Sequence, residues 1–220
     1  MLNTIKEIEK NKIIVIVRGV CAEKLIPLFE AMYEGGIRVV ECTYDASGKT
    51  TDEQTAEKIK LLAEHFGDKM IIGAGTVLTK KQVAFTKAAG GKFIISPDTN
   101  SEVIKYTKKQ KLVSIPGALT PSEIAAADRA GADFVKVFPV NLFGVDYIKT
   151  IKAPLSHIKV LAVNGITAEN MSEYFLAGAS GVGIGSGVVN KKYIEENNFA
   201  AITAAAKEYT EKINLGENQC

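Results

Sequence analysis

The chain of 220 residues is long enough for one domain with a full core, and its 46% hydrophobic and 24% charged residues are the mix of a soluble globular protein. A formal net charge of +2, with Lys and Arg scattered, gives no basic face for nucleic acid or a membrane surface, and no apolar run approaches the roughly 20 residues that span a bilayer. Cys21, Cys42 and Cys220 form no disulfide or metal spacing, and His65 and His157 lie in no ligand cluster. That pattern suits a reducing cytoplasm and argues against a zinc centre or a His-based triad.

The opening MLNTIKEIEKNK is a short charged amphipathic stretch without the apolar centre of a signal peptide. IIVIV (13–17) is the first strand candidate. A helical pattern over 22–34 leads into EGGIRVVEC (34–42), where small residues end a helix and release the chain into an apolar run. A helix over 51–66 and the strand MIIGA (70–74) follow, then a helix capped by Thr79 and the step AGGKFIIS (89–96). LVSI (112–115) is the next strand. The cap Thr120-Pro121-Ser122-Glu123 opens a helix over 121–130, which runs into AGADFVKVF (130–138). IKVLA (158–162), a helix capped by Thr167, AGASGVGIG (177–185) and a closing helix over 197–213 complete the chain before a short polar tail. Eight strands whose starts lie about 20 to 33 residues apart, alternating with helices, predict an α/β fold, a (β/α)8 TIM barrel in a single domain over 1–220. A doubly wound open sheet is the alternative, but no GxGxxG opens a helix after the first strand.

One residue breaks the pattern. Lys136 sits inside Phe134-Val135-Lys136-Val137-Phe138, which otherwise reads as a strand buried on both faces. Burying an ammonium costs several kcal/mol or forces its pKa down. Lys159 also touches an apolar run, but at its start, where the side chain can snorkel to water.

Period-two alternation sorts the strands into faces. Phe134, Lys136 and Phe138 share one, with Val135 and Val137 toward the helices. The matching inward sets are Val39, Glu41 and Thr43 in strand 2, Ile14, Ile16 and Arg18 in strand 1, and Ala74 and Thr76 in strand 3. A lysine, a glutamate, an arginine and a threonine thus converge at the C-terminal rim, where barrel enzymes carry their chemistry. A structural Lys136–Glu41 ion pair would stabilise little more than an apolar replacement, so chemistry is the better reason for both charges.

The chemistry they suit is imine catalysis. Desolvation lowers an amine's pKa and makes it a nucleophile toward a carbonyl, and the protonated imine then serves as an electron sink. Glu41 is placed to move protons, and Arg18 and Thr76 to hold a substrate carboxylate. AVNGITAEN (162–170) and GIGSG (183–187) put glycines and Ser186 just after strands 7 and 8, where barrels commonly hold phosphate on backbone N–H groups. A sugar-phosphate isomerase or epimerase with a purely electrostatic Lys136 is a second reading. A non-catalytic phosphate binder is a third, and it would not need Glu41 inside.

RVVECT with Glu41, GAGTVL with Thr76, ISP at 95–97, IPG at 115–117 and FVKVFP with Lys136 occur in the order found in 2-keto-3-deoxy-6-phosphogluconate (KDPG) aldolases. The chain resembles that family, which includes 4-hydroxy-2-oxoglutarate (KHG) and galactonate-configured aldolases, over nearly its whole length. The resemblance implies a (β/α)8 barrel, a homotrimer, and a metal-free class I aldolase with no cofactor beyond a covalent imine on Lys136. Its partner is a small 2-keto acid, cleaved to pyruvate and an aldehyde. It also implies Glu41 as acid/base, Thr76 on the pyruvate carboxylate, Pro97 and Phe138 lining the pocket, and Gly165, Gly185 and Ser186 on the phosphate. Three positions depart from the family pattern. Asp45 stands where many members have an arginine for the carboxylate, so Arg18 is expected to supply that cation. The strand-7 turn reads Val163-Asn164-Gly165 where Thr-Gly-Gly is common, and Asp98 replaces a small residue.

Overall fold

A computed structural model of the protein describes the backbone of residues 1–217 and the side chains of residues 1–213; Cys220 lies outside the described residues. Nine parallel strand segments follow one another along the chain: β1 (Ile13–Val17), β2 (Val39–Thr43), β3 (Ile71–Gly75), β4 (Phe93–Ile95), β5 (Val113–Ile115), β6 (Gly117–Ala118), β7 (Val135–Val137), β8 (Val160–Val163) and β9 (Gly181–Ile184). They are hydrogen-bonded in the order β5-β4-β3-β2-β1-β9-β8-β7-β6. β5 and β6 are two halves of the fifth expected strand, divided at Pro116. β5 pairs with β4 and β6 with β7, so the ring of eight closes across the break. Proline offers no N–H to a ladder, but the Pro116 carbonyl still accepts from Lys136 N at 2.8 Å.

The helices are α1 (Leu2–Asn11), α2 (Ala22–Glu34), α3 (Asp52–Phe66), α4 (Lys80–Ala88), α5 (Ser101–Lys109), α6 (Pro121–Arg129), α7 (Val145–Lys152), α8 (Met171–Leu176), α9 (Lys191–Glu195) and α10 (Phe199–Glu217). Thr51, Thr79 and Thr120 each form a complete capping box, with Gln54, Gln82 and Glu123. The cap expected at Thr167 is different. Thr167 and Asn170 bond each other across a turn, and α8 starts only at Met171.

Two apolar clusters hold the barrel. The larger lies between strands and helices and takes Val15, Val40, Ile72, Val135, Val137 and Val182. The smaller fills the lower barrel with Ile14, Val39, Phe93, Ile95, Val113, Phe134 and Leu161, and Ile8 of α1 joins it from below. The amphipathic N-terminal stretch is therefore the barrel's floor. Each such buried aliphatic or aromatic side chain contributes roughly 1.5–3 kcal/mol.

Inward faces agree with the alternation in β1, β2 and β7, and disagree in β3. Ala74 packs in the outer cluster, not inside. The inward residues of β3 are Ile71, Gly73 and Gly75: the Phe93 ring fills the space a side chain at Gly73 would take, and the Glu41 carboxylate fills that at Gly75. Thr76 still turns toward the barrel mouth, because its φ of 56° breaks the extended backbone one residue after the strand. A β-branched residue in that region is strained by about 1–3 kcal/mol, and such residues cluster at functional sites.

Candidate active site

A cavity of about 430 Å³ opens at the C-terminal ends of the strands. All nine residues singled out from the sequence line it. Arg18 stands just after β1, Glu41 within β2, Thr76 just after β3 and Pro97 beyond β4. Lys136 lies within β7 with Phe138 after it, Gly165 follows β8, and Gly185 and Ser186 follow β9.

Burial lowers the Lys136 amine from its ordinary value; Glu41 works against this, and Arg18 adds to it by cationic repulsion. Its Nζ stands 4.7 Å from the centroid of the Phe138 ring. Glu41 is 2% exposed. Burial pushes its carboxyl up to about 7, with Lys136 and then Arg18 pulling the other way. Its Oε2 is buried without a hydrogen-bond partner, so this oxygen is not tied up in a structural ion pair. The contrast with Lys159 is instructive. That lysine, at the other end of the barrel, is 44% exposed and pairs with Glu9 of α1 at 2.6 Å.

Arg18 Nη2 donates to Thr76 Oγ1 at 2.9 Å, which fixes a guanidinium and a hydroxyl side by side at the mouth. Asp45 does not face them as a rival anion. Its carboxylate accepts from Ser47 N, Ser47 Oγ and Thr50 N and holds the loop after β2.

The two glycine turns sit side by side. Asn164 and Gly165 both have positive φ, 88° and 73°, and a β-carbon at Gly165 would run into Asn141. Asn164 Nδ2 donates to Asn141 Oδ1 at 2.6 Å, so its side chain is turned to a protein partner. After β9, Val188 N and Val189 N both donate to Gly185 O, which folds 185–189 into a tight turn. Gly183, within the GIGSG motif, is an interior position: a β-carbon there would crowd Val163 and Ile16.

Sequence reasoning missed Tyr209. This residue of α10 is 5% exposed, lines the cavity, and places its hydroxyl where a side chain at Gly187 would go. Nothing local marks it, since it reads as one more apolar position of the closing helix.

A buried amine, a buried carboxyl raised to about 7, a guanidinium bonded to a hydroxyl and two glycine turns thus share one cavity. The sequence profile described as "Aldolase: KDPG and KHG aldolase" matches residues 4–205. A 2-dehydro-3-deoxy-6-phosphogalactonate aldolase of Escherichia coli is 34% identical over 205 residues, 93% of this chain and 97% of that protein. Among solved structures, a native KDPGal structure superposes with a TM-score of 0.83 at 32% identity, covering 94% of this chain and 96% of the other. The KDPG aldolase of Legionella pneumophila, with pyruvate captured as a covalent carbinolamine, superposes with a TM-score of 0.80 at 31% identity, covering 90% and 93%. With the profile spanning most of the chain and the barrel shared, the protein belongs to the KDPG and KHG aldolase family.

Proposed function

We propose that the protein is a class I aldolase that cleaves a 6-phosphorylated 2-keto-3-deoxy sugar acid, KDPG or its C4 epimer, to pyruvate and D-glyceraldehyde 3-phosphate. The observation that carries this reading is the pairing, in one cavity, of an amine pushed toward neutrality with a carboxyl raised to about 7. Lys136 attacks the C2 carbonyl to give a carbinolamine, which loses water to a protonated imine. A base removes the C4 hydroxyl proton, the C3–C4 bond breaks, and its electron pair moves into the imine as an enamine. Protonation at C3 and addition of water release pyruvate and restore the amine. Glu41 is the group placed to carry these protons, because a carboxyl with a pKa near the working pH both gives and takes them. Arg18 and Thr76 take the substrate carboxylate, and Pro97 and Phe138 wall the reacting carbons. The covalent pyruvate adduct of the Legionella pneumophila relative supports the imine route.

The phosphate reading rests on the turns at Gly165 and Gly185-Ser186, which face the same cavity and leave backbone close to a ligand. Val163 leaves the pocket one hydroxyl fewer with which to read the C4 configuration, and the proposal therefore includes both epimers as substrates. The test compares kcat/KM for KDPG, its galactonate epimer and 4-hydroxy-2-oxoglutarate. Equal efficiency on the unphosphorylated acid removes the phosphate from the reading. Leu142 and Phe143, 70% and 50% exposed just after β7, offer an apolar surface for the homotrimer that belongs to the same proposal. Light scattering of the purified protein decides it.

A further inference from the structure

The candidate active-site cavity borders further space at the turn after β9. A second, open cavity of about 760 Å³ shares Ile16, Arg18, Gly185 and Ser186 with it. The shared edge runs along the turn after β9, and a β-carbon placed on Gly185 would meet nothing within 4 Å. The second cavity is lined by the apolar Val20, Val189 and Ile194, by the polar Lys24, Asn190, Lys191 and Glu195, and by the exposed Cys21. On the proposed phosphate placement at Gly165 and Gly185-Ser186, a three-carbon aldehyde phosphate does not need this second space.

We propose that this cavity takes the distal chain of longer, apolar acceptor aldehydes, so that the enzyme adds pyruvate to them in the aldol direction. The inference rests on the imine reading above. Pyruvate and the Lys136 amine form the imine with loss of water. C3 of the derived enamine attacks the aldehyde carbon, forming the new carbon–carbon bond, and the aldehyde oxygen takes up a proton. Water then releases the 4-hydroxy-2-keto acid and restores the amine, so one pyruvate and one aldehyde give one product without any redox partner. An unbranched chain reaching past Gly185 buries its methylenes against Val20, Val189 and Ile194, and each buried methylene raises the transition-state affinity.

The experiment uses a Cys220→Ser background, so that Cys21 is the accessible thiol and Cys42 remains buried. Pyruvate is combined with hexanal, and addition is compared before and after alkylating Cys21 with N-benzylmaleimide. A parallel Val20→Trp variant fills the same space without a label. The expected result is hexanal addition that falls at least about tenfold on either change, with cleavage of the phosphorylated acid and borohydride trapping of pyruvate on Lys136 unchanged. Absence of hexanal addition in the unmodified protein overturns the proposal. So does addition that survives both changes, or a loss that extends equally to phosphorylated-acid cleavage. Failure of pyruvate trapping in the unmodified protein would instead remove the imine reading itself.

Discussion

The carboxylate of Glu41 lies against the bare Cα of Gly75: a β-carbon there would stand 2.5 Å from Glu41 Cδ and 2.8 Å from Oε2. The glycine makes room for this carboxylate on an inward position of the neighbouring strand. Gly75→Ala must push the carboxylate aside or fail to pack. A misplacement of about 1 Å in a catalytic group costs on the order of 10²-fold. The variant is expected to lose roughly that in kcat while still forming the pyruvate imine. Unchanged kcat would mean that the position of this carboxylate does not matter.

Glu41→Gln keeps the shape and removes the proton exchange. It is expected to trap pyruvate on Lys136 but to turn over roughly 10²–10⁴-fold more slowly. Steady-state kinetics beside borohydride trapping separates the two steps, and near-normal kcat excludes Glu41 from the chemistry.

The same substitution carries a stability signature. Burial raises the Glu41 carboxyl from 4.5 to about 7. The folded state therefore binds more protons than the unfolded state between those pH values, and stability from this group is present below pH 4.5 and lost as pH rises through about 7. Gln cannot ionise. The variant is expected to gain on the wild type by on the order of 3 kcal/mol between pH 4.5 and pH 8. Denaturant melts at the two pH values measure it, and a difference independent of pH contradicts it.

Arg18→Ala removes the guanidinium that Thr76 holds by its hydroxyl. Pyruvate affinity is expected to weaken by about 1.5–3 kcal/mol, the loss of a charge-assisted hydrogen bond. Arg18 also helps to hold the Lys136 amine down. Without it the amine keeps its proton to higher pH, and the pH profile of imine formation shifts upward. Intact affinity would place the carboxylate cation elsewhere.

Ser186→Glu puts an anion at the turn after β9. The variant is expected to lose kcat/KM toward the phosphorylated acids and to keep its rate on 4-hydroxy-2-oxoglutarate, because remote binding energy is expressed in kcat/KM. An equal loss on both substrates would show the turn to be structural.

The barrel and its reactive faces were legible where period two runs without interruption up to the reactive residue. Ile14, Val39 and Phe134 point inward as alternation requires, and Glu41 and Lys136 follow on the same faces. Alternation fails in β3 because its inward residues are Gly73 and Gly75, whose places are taken by Phe93 and Glu41, so the outward Ala74 looks like the inward one. Thr76 reaches the cavity through a left-handed φ that a β-branched residue does not advertise. The break at Pro116 and the arrival of Tyr209 from α10 are tertiary events with no local pattern. Asp45 was visible as an unexpected acid, but its bonds to Ser47 and Thr50 belong to a loop that only the folded chain defines.

On the proposed mechanism Lys136 is nucleophilic because burial holds its amine's pKa down. Incubation with pyruvate and borohydride, followed by peptide mapping, tests it most directly. The expected result is inactivation with one reduced pyruvate adduct, on Lys136. An adduct on Lys159 instead, or no adduct at all, would contradict it.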